Sequence, residues 1–209
     1  MRCSGCGLLA TQCVCSALSV IDNSTPVRIL QHPDETTHPL NTARWIALGL
    51  VDARVTARES FKSSDWDVAG HTPLLLYPDE PGVPARPRPP GPYVLVTLDG
   101  TWRHAAATLR THPALRTMHR MALPAPSSTH AASNYRLRKS SRADSYSTVE
   151  AVAAALDVLD SPRSHHLLLQ PFTLQIERQI AFLRKKMGVA EFQKNYPRIP
   201  DESRRDTPS

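Results

Sequence analysis

Short apolar runs along the chain predict buried strands, and they alternate with segments whose apolar residues have helical spacing. The clearest strand is residues 93–98, which is β-branched and almost continuously apolar, as a strand buried on both faces would be. Residues 27–30 and 72–77 have similar strand character. Strands that alternate with helices predict an α/β domain with a mostly parallel sheet flanked by helices.

Four segments have the apolar spacing or the end signals of helices. Residues 147–150 read Ser-Thr-Val-Glu, the form of a capping box, in which the first and last side chains accept hydrogen bonds from each other's amides. Helices also favour a proline in the first turn and a glycine just after the last turn. The predicted helices run over 39–50, over 102–110, onward from residue 147, and over 171–188.

The charge of the chain is compatible with a polyanionic partner. The net charge is +6, and the basic residues are 20 Arg and 5 Lys. Arginine binds phosphate bidentately and stacks on bases, which suits RNA, although a GC-rich coding genome raises arginine content as well. No apolar run approaches the roughly 18–20 residues of a membrane helix, and no signal peptide is evident. We therefore expect a cytoplasmic protein with no membrane partner and no obligate protein partner.

All four cysteines fall within the first fifteen residues, with the spacing C-x2-C-x6-C-x-C. Four such thiolates can close a tetrahedral Zn²⁺ site, although two disulfides, an iron–sulfur cluster or free thiols are alternatives. Zinc is favoured because a segment this short has no core and gains its folding energy from the metal. We expect a structural zinc knuckle over residues 1–20, an α/β domain over 21–194 and a disordered tail over 195–209. The expected metal ligands are Cys3, Cys6, Cys13 and Cys15.

Three segments carry polar or reactive groups at predicted element ends. They are 32–35 (His-Pro-Asp-Glu) with 41–44, then 99–102 (Asp-Gly-Thr-Trp), and 134–138 followed by 147–150. In open parallel sheets, ligands bind beyond the carboxyl ends of the strands, and Asp99 follows the clearest strand. Each segment alone is also compatible with an ordinary turn, cap or solvated loop.

Together these segments resemble the DTW-domain family. The Asp-x-Thr-Trp motif of that family is matched by Asp99, Thr101 and Trp102. The cysteine cluster, a His-Pro-x-Glu segment with Asn-Thr downstream, and a Ser-Thr-x-Glu-Ala box recur in the expected order, so the resemblance extends to about residue 160. Two departures are mild, because Tyr146 and Val149 stand where leucine is usual in the family.

The family resemblance implies a reaction and a fold. Such proteins are tRNA-uridine aminocarboxypropyltransferases, which implies that S-adenosylmethionine donates its 3-amino-3-carboxypropyl group to N3 of a tRNA uridine and that methylthioadenosine is released. It also implies a SPOUT-like α/β catalytic domain. A SPOUT-type RNA methyltransferase, which would release S-adenosylhomocysteine, and a non-catalytic zinc-containing RNA-binding module are the alternatives.

The chemistry assigns provisional roles to the matched residues. Uridine N3 must lose a proton before it can attack, so Asp99 is the candidate general base, with positioning of the cofactor ammonium as its alternative role. Amides at the start of the helix after Ser147 are expected to anchor the cofactor carboxylate, and Trp102 either stacks on a base or only packs. The expected cofactor-binding residues are Asp99, Thr101, Trp102, Ser147, Thr148 and Glu150. The expected tRNA-binding residues are Arg136, Arg138, Lys139 and Arg142, with His32, Asn41 and Arg44.

Overall fold

Parallel strands form the centre of the protein. A computed structural model describes residues 1–79, 89–124, 137, 146–197 and 199. Within these residues, five strands form one sheet in the order β2-β1-β4-β3-β5, and every neighbouring pair is parallel. The predicted α/β class with a parallel sheet is therefore confirmed. The strands are β1 (Val27–Gln31), β2 (Ala53–Ala57), β3 (Thr72–Leu76), β4 (Tyr93–Asp99) and β5 (His119–Met121).

Helices follow the strands, and short 3₁₀ turns lie between several of these elements. Within the described ranges, no helix has both the length and the apolar character needed to cross a bilayer. The last long helix ends where the sequence predicts, before Gly188, whose φ of 83° is easily adopted by glycine. The helices are α1 (Ala43–Gly49), α2 (Trp102–Thr111), α3 (Pro113–Thr117), α4 (Thr148–Leu159), α5 (Gln170–Met187) and α6 (Val189–Asn195).

Helix α1 begins at Ala43, later than the start at Pro39 that the sequence suggests. The residues between them are held in turns by side chains. The Leu40 amide donates to Nδ1 of His38, and the Arg44 amide donates to Oδ1 of Asn41. These contacts satisfy backbone donors without a helical turn, so the side chains and not the proline set the start of α1.

The two faces of the sheet bury two separate hydrophobic clusters. Alternate residues of a strand point to opposite faces, so Ile29 joins the larger cluster and Leu30 joins the smaller one. The larger cluster takes in residues from α1, α4 and α5. The smaller cluster is completed by α2, α3 and the loop around Phe61 and Trp66.

The edge strands β2 and β5 are absent from the sequence prediction. In β2, only Thr56 is buried, so the segment lacks the apolar run that identifies the central strands. Strand β5 has three residues, which is too short for a periodicity to appear. Both strands are therefore defined by pairing with β1 and β3 and not by their own composition.

The N-terminal cysteine segment packs on the same core as the sheet. Cys6, Leu8 and Val14 belong to the larger hydrophobic cluster. The guanidinium of Arg178 in α5 also donates to the backbone carbonyl of Cys13. These contacts fix the segment against the long C-terminal helix.

A buried carboxylate at the end of α4 holds the segment that leads into β1. The oxygens of Asp160 accept from the Ser24 amide at 2.9 Å, the Thr25 amide at 3.0 Å and the Thr25 hydroxyl at 2.6 Å. Asp160 is itself buried. Its loss would leave several buried donors without an acceptor, which is costly.

We expect Asp160→Ala to lower the free energy of unfolding by about 3 kcal/mol, measured by urea denaturation, because these buried donors would lose their acceptor. The control is Asp22→Asn, which removes an exposed ion pair with Arg163 and should cost at most about 0.5 kcal/mol. Equal losses for the two variants would contradict this description of Asp160.

Candidate active site at the carboxyl ends of the central strands

The carboxyl ends of β1 and β4 bring two polar residues side by side. These strands are parallel neighbours, and their register pairs Gln31 with Asp99. Both residues are buried, with exposed fractions of 3% and 7%. Burial of a carboxylate and a carboxamide is expensive unless each finds hydrogen-bonding partners, so this pair identifies a site where polar contacts are organised.

The Asp99 carboxylate is held from two sides. Its Oδ2 accepts from Nε2 of Gln31 at 2.7 Å, and its Oδ1 accepts from the hydroxyl of Thr148 at 2.5 Å. Its backbone carbonyl accepts from the His32 amide at 2.9 Å. The site therefore joins β1, β4 and the first residue of α4, and it brings together three residues that the sequence analysis names.

A further link connects this site to α1. The Nε2 of Gln31 also donates to Oδ1 of Asn41 at 3.2 Å. Asn41 therefore belongs to the hydrogen-bond network of Asp99, although it reaches Asp99 through Gln31. Sequence reasoning missed Gln31, and the available signal was a polar residue that directly follows the apolar pair Ile29 and Leu30.

The predicted capping box is present at the start of α4. Oε2 of Glu150 accepts from the Ser147 amide at 2.8 Å and from the Ser147 hydroxyl at 2.6 Å, and the Glu150 amide donates to the Ser147 hydroxyl oxygen at 3.4 Å. The box occupies the Ser147 amide with the Glu150 carboxylate, as predicted, so this amide is not available to the cofactor carboxylate. The Thr148 hydroxyl, by contrast, points at Asp99.

The Asp-Gly-Thr-Trp segment forms the turn from β4 into α2. Thr101 is the N-cap of α2, and its hydroxyl oxygen accepts from the His104 amide at 3.2 Å. Trp102 is half-buried and packs edge-on against Tyr77, with ring centroids 5.9 Å apart. The guanidinium of Arg120 lies over Tyr77 at 5.6 Å. Tyr77 and Trp102 therefore form an aromatic wall beyond the carboxyl ends of β3 and β4, and Tyr77 was not among the predicted site residues.

Two histidines stack on the other side of the site. The rings of His32 and His104 are 3.7 Å apart and nearly parallel, at 11°. The small size of Gly100 suits this packing, because a Cβ there would make tight contacts, 3.1 Å from the His104 Cβ and 3.4 Å from the His32 Cβ. Their ligand atoms lie near Asp34, but lone pairs in nearly parallel ring planes do not converge on one metal ion.

Burial lowers the pKa of His104, and the adjacent His32 lowers it further. The neutral imidazole is therefore favoured in the folded protein. His104 is a residue that sequence reasoning missed, since nothing in its spacing distinguishes it from an exposed helical histidine.

The four cysteines converge at the N-terminus. Their sulfur atoms all lie within 4.8 Å of one another, and three of the pairs are 3.4, 3.6 and 3.9 Å apart. A tetrahedron with metal–sulfur bonds of about 2.3 Å has edges of about 3.8 Å, so this arrangement fits a metal ion. It does not fit disulfides, whose sulfurs are about 2.05 Å apart. The four cysteines are free thiols in this structure.

The thiols also influence each other's ionisation. A hydrogen bond from the backbone of Cys6 and one from the Cys13 side chain lower the pKa of Cys3 to about 6. Hydrogen bonds with Cys13 and Cys3 raise the pKa of Cys15 to about 12. One negative sulfur therefore disfavours the next, and a cation is what allows four thiolates to coexist.

The predicted tRNA-binding residues fall into two groups. Arg136, Arg138, Lys139 and Arg142 lie outside the described residues. The side chain of Arg44 contacts the cysteine segment, where its guanidinium carbon would lie 4.0 Å from a Cβ at Gly7. Its Nη1 is buried and has no hydrogen-bond partner among the described residues. Arg44 therefore bridges α1 and the cysteine segment, while its amide contacts Asn41.

A parallel α/β sheet with polar residues at the carboxyl ends of its central strands defines a class of protein that binds ligands at that edge. The sequence model of the DTW domain family matches residues 1–180, and the chain belongs to this family.

Two curated relatives carry the name of one activity. The chain is 32% identical over 183 residues to tRNA-uridine aminocarboxypropyltransferase 2 of Drosophila melanogaster, covering 81% of this chain and 71% of the relative. It is 28% identical over 227 residues to tRNA-uridine aminocarboxypropyltransferase A of Arabidopsis thaliana, covering 93% and 81%. No solved structure matches the chain significantly.

The histidine stack predicts a pH dependence of stability. Because the folded state lowers the pKa of His104, protonation favours the unfolded state, so the contribution of His104 is complete above about pH 6.5 and is lost as the pH falls. We expect the free energy of unfolding to fall less between pH 7 and pH 5 in His104→Phe than in the wild type. His71→Phe, on a separate loop, serves as the control. An unchanged pH dependence in His104→Phe would refute this account of the stack.

Proposed function

We propose that this protein transfers the 3-amino-3-carboxypropyl group of S-adenosylmethionine to N3 of a uridine in tRNA, with release of methylthioadenosine. The observation that carries the proposal is the Asp99 carboxylate of the DTW motif, buried and oriented at the carboxyl edge of the sheet. The names of the two relatives support the same reaction.

The site has the chemistry that the donor molecule requires. S-adenosylmethionine carries a sulfonium, an ammonium, a carboxylate and an adenine. The carboxylate of Asp99 suits the positive groups, the start of α4 at Thr148 suits the carboxylate, and the wall of Trp102 and Tyr77 suits a planar base. Glu150 supports the start of α4 as its capping residue, and Thr101 supports Trp102 as the cap of α2.

Asp99 acts as the general base in this proposal. Uridine N3 is a poor nucleophile until its proton is removed, and a carboxylate fixed in place can accept that proton. The bond from N3 to the aminocarboxypropyl carbon forms as the carbon–sulfur bond breaks, and the sulfur keeps the electron pair of that bond. The proton goes from N3 to an oxygen of Asp99 and then to solvent. Bound S-adenosylmethionine supplies the activated carbon and the neutral thioether leaving group.

Orientation decides which carbon of the sulfonium reacts. Three carbons on that sulfur are open to attack, and attack on the methyl carbon would make the protein a methyltransferase. A base fixed by Gln31 and Thr148 accepts the N3 proton from one direction. This fixed direction favours one in-line arrangement of N3, the attacked carbon and the sulfur. The identity of the nucleoside product therefore separates the two enzyme activities.

We infer that the four cysteines hold a structural zinc ion. The support is the sulfur geometry, in which three of the six pairs are 3.4 to 3.9 Å apart and all lie within 4.8 Å, against a tetrahedral edge of about 3.8 Å. Four protein ligands leave no open position for substrate, so the metal stabilises the knuckle and takes no part in the transfer.

Binding of tRNA is assigned to basic residues of three segments of the chain. His32 lies beside Asp99 through a backbone hydrogen bond, and its half-buried ring remains accessible to a nucleotide. Arg136, Arg138, Lys139 and Arg142 complete the proposed phosphate-binding set. Arg44 in α1 and Asn41 just before it are the remaining members of the proposed set, and Asn41 contacts Gln31.

Incubation of the protein with S-adenosylmethionine and unmodified tRNA tests the proposed reaction. We expect nucleoside mass spectrometry to show aminocarboxypropyluridine and an equal amount of methylthioadenosine. S-adenosylhomocysteine with a methylated base would identify a methyltransferase. Tight tRNA binding without turnover, by a protein shown separately to bind the cofactor, would identify a binding module.

Metal analysis tests the cysteine assignment. We expect one zinc per chain in the purified protein, and we expect Cys6→Ser to lose the metal and several kcal/mol of stability, on the order of 3, because the knuckle folds around the ion. The control is Ser16→Ala, which lies within the same segment and offers no thiolate. Bound iron with a visible charge-transfer band, or full stability without metal, would contradict a structural zinc site.

A further inference from the structure

Gln31 uses both hydrogens of its carboxamide at the edge of the sheet. One contact is to Oδ2 of Asp99 at 2.7 Å, and the other is to Oδ1 of Asn41 at 3.2 Å. The side chain is 3% exposed, so these contacts are made away from water. Buried carboxamides are retained where their hydrogen bonds are satisfied, and here one of them ends on the carboxylate of the DTW motif.

The orientation of this carboxamide is determined by the backbone. The amide of Arg44 donates to Asn41 at 3.3 Å, and a backbone amide can only donate. Asn41 must therefore present its oxygen, and Gln31 must present its NH₂ group to that oxygen. The same NH₂ group then faces Asp99, so the start of α1 fixes the direction of the hydrogen bond to Asp99.

Two donors approach Asp99 from different elements. Gln31 donates to Oδ2 from the neighbouring strand, and Thr148 donates to Oδ1 from α4 at 2.5 Å. Donors on both oxygens restrict rotation of the carboxylate, and each hydrogen bond favours its charged form. A general base needs both properties, a fixed direction and an ionised state before the proton arrives.

We propose that Gln31 is a positioning residue, which holds the Asp99 carboxylate ionised and oriented toward the reacting nucleoside. This inference rests on the proposed function for the reaction that Asp99 performs. The hydrogen bonds on which the inference is based are present whether or not Asp99 performs that reaction.

Other ionisable groups lie on the elements that meet at the carboxyl edge of the sheet. His32 follows β1, His104 lies on α2, Glu150 lies on α4 and Arg44 lies on α1. A pH profile of activity would therefore not isolate the ionisation of Asp99. The carboxyl carbon of Asp99 must therefore be observed directly, by NMR of protein labelled with carbon-13 at the aspartate carboxyl, with its signal assigned from its loss in Asp99→Asn.

The test variant is Gln31→Met, which keeps the length of the side chain and removes the donor. We expect the midpoint of the Asp99 signal to rise by about one pH unit or more, because a hydrogen bond to the charged form is lost. We also expect kcat for the transfer to fall at least about tenfold while KM for S-adenosylmethionine stays within about threefold.

Gln31→Glu provides a second variant of nearly the same size that remains polar in the buried position. A carboxylate next to Asp99 disfavours a second negative charge, so the Asp99 midpoint should rise in this variant as well. A rise of the Asp99 midpoint in Gln31→Glu supports the direct contact between Gln31 and Asp99, even if Gln31→Met is too unstable to study.

Gln175→Met is the matched control. Gln175 is also a buried glutamine with two hydrogen bonds, from Trp45 at 3.0 Å and to the Pro39 carbonyl at 2.7 Å, and it makes no described contact with Asp99. It should lose stability and leave the Asp99 midpoint unchanged. The proposal is overturned if the Gln31 variants also only lose stability and titrate as the wild type does. If wild-type protein transfers no aminocarboxypropyl group, the proposed function fails, and the NMR midpoints still decide the role of Gln31.

Discussion

The candidate site depends on the burial of one carboxylate at the point where two parallel strands end. Asp99 can occupy that position because Gln31 and Thr148 donate to its two oxygens, and an unsatisfied carboxylate there would be costly. The parallel register of β1 and β4 brings Gln31 beside it, and the start of α4 brings Thr148. The hydrogen bonds that Asp99 accepts therefore depend on the sheet order, on the capping of α4 and on the late start of α1.

The surrounding features can be understood as supports for that edge. Gly100 lets two imidazoles stack closely on one side, and Trp102 packs against Tyr77 on the other. Arg44 connects the cysteine segment to the network through its amide and its side chain. The cysteine segment, by packing on α5 and α1, therefore contributes to the position of the residues around Asp99 without contacting it directly.

The sequence predicted what has a local signal. Apolar runs identified the central strands, and Ser147 with Glu150 identified the start of α4. Both signals come from residues that are close together in the sequence. Gln31 escaped prediction since its role depends on a strand partner 68 residues away in the chain. The edge strand β2 escaped for the same reason, because its pairing with β1 defines it. The start of α1 was missed for a different reason, since local hydrogen bonds to the side chains of His38 and Asn41 replace the first helical turn. Motif order identified the family, and only the fold identified which residues touch.

Single-turnover transfer by Asp99→Asn tests the central claim most directly, provided that binding of S-adenosylmethionine and tRNA is measured separately on the same variant. Asparagine keeps the shape of the side chain and cannot accept the N3 proton. The account predicts that tRNA binds within a few-fold of wild type and that S-adenosylmethionine still binds, while the transfer step at saturating S-adenosylmethionine slows by about 100-fold to 10,000-fold. Transfer at the wild-type rate by Asp99→Asn would contradict it.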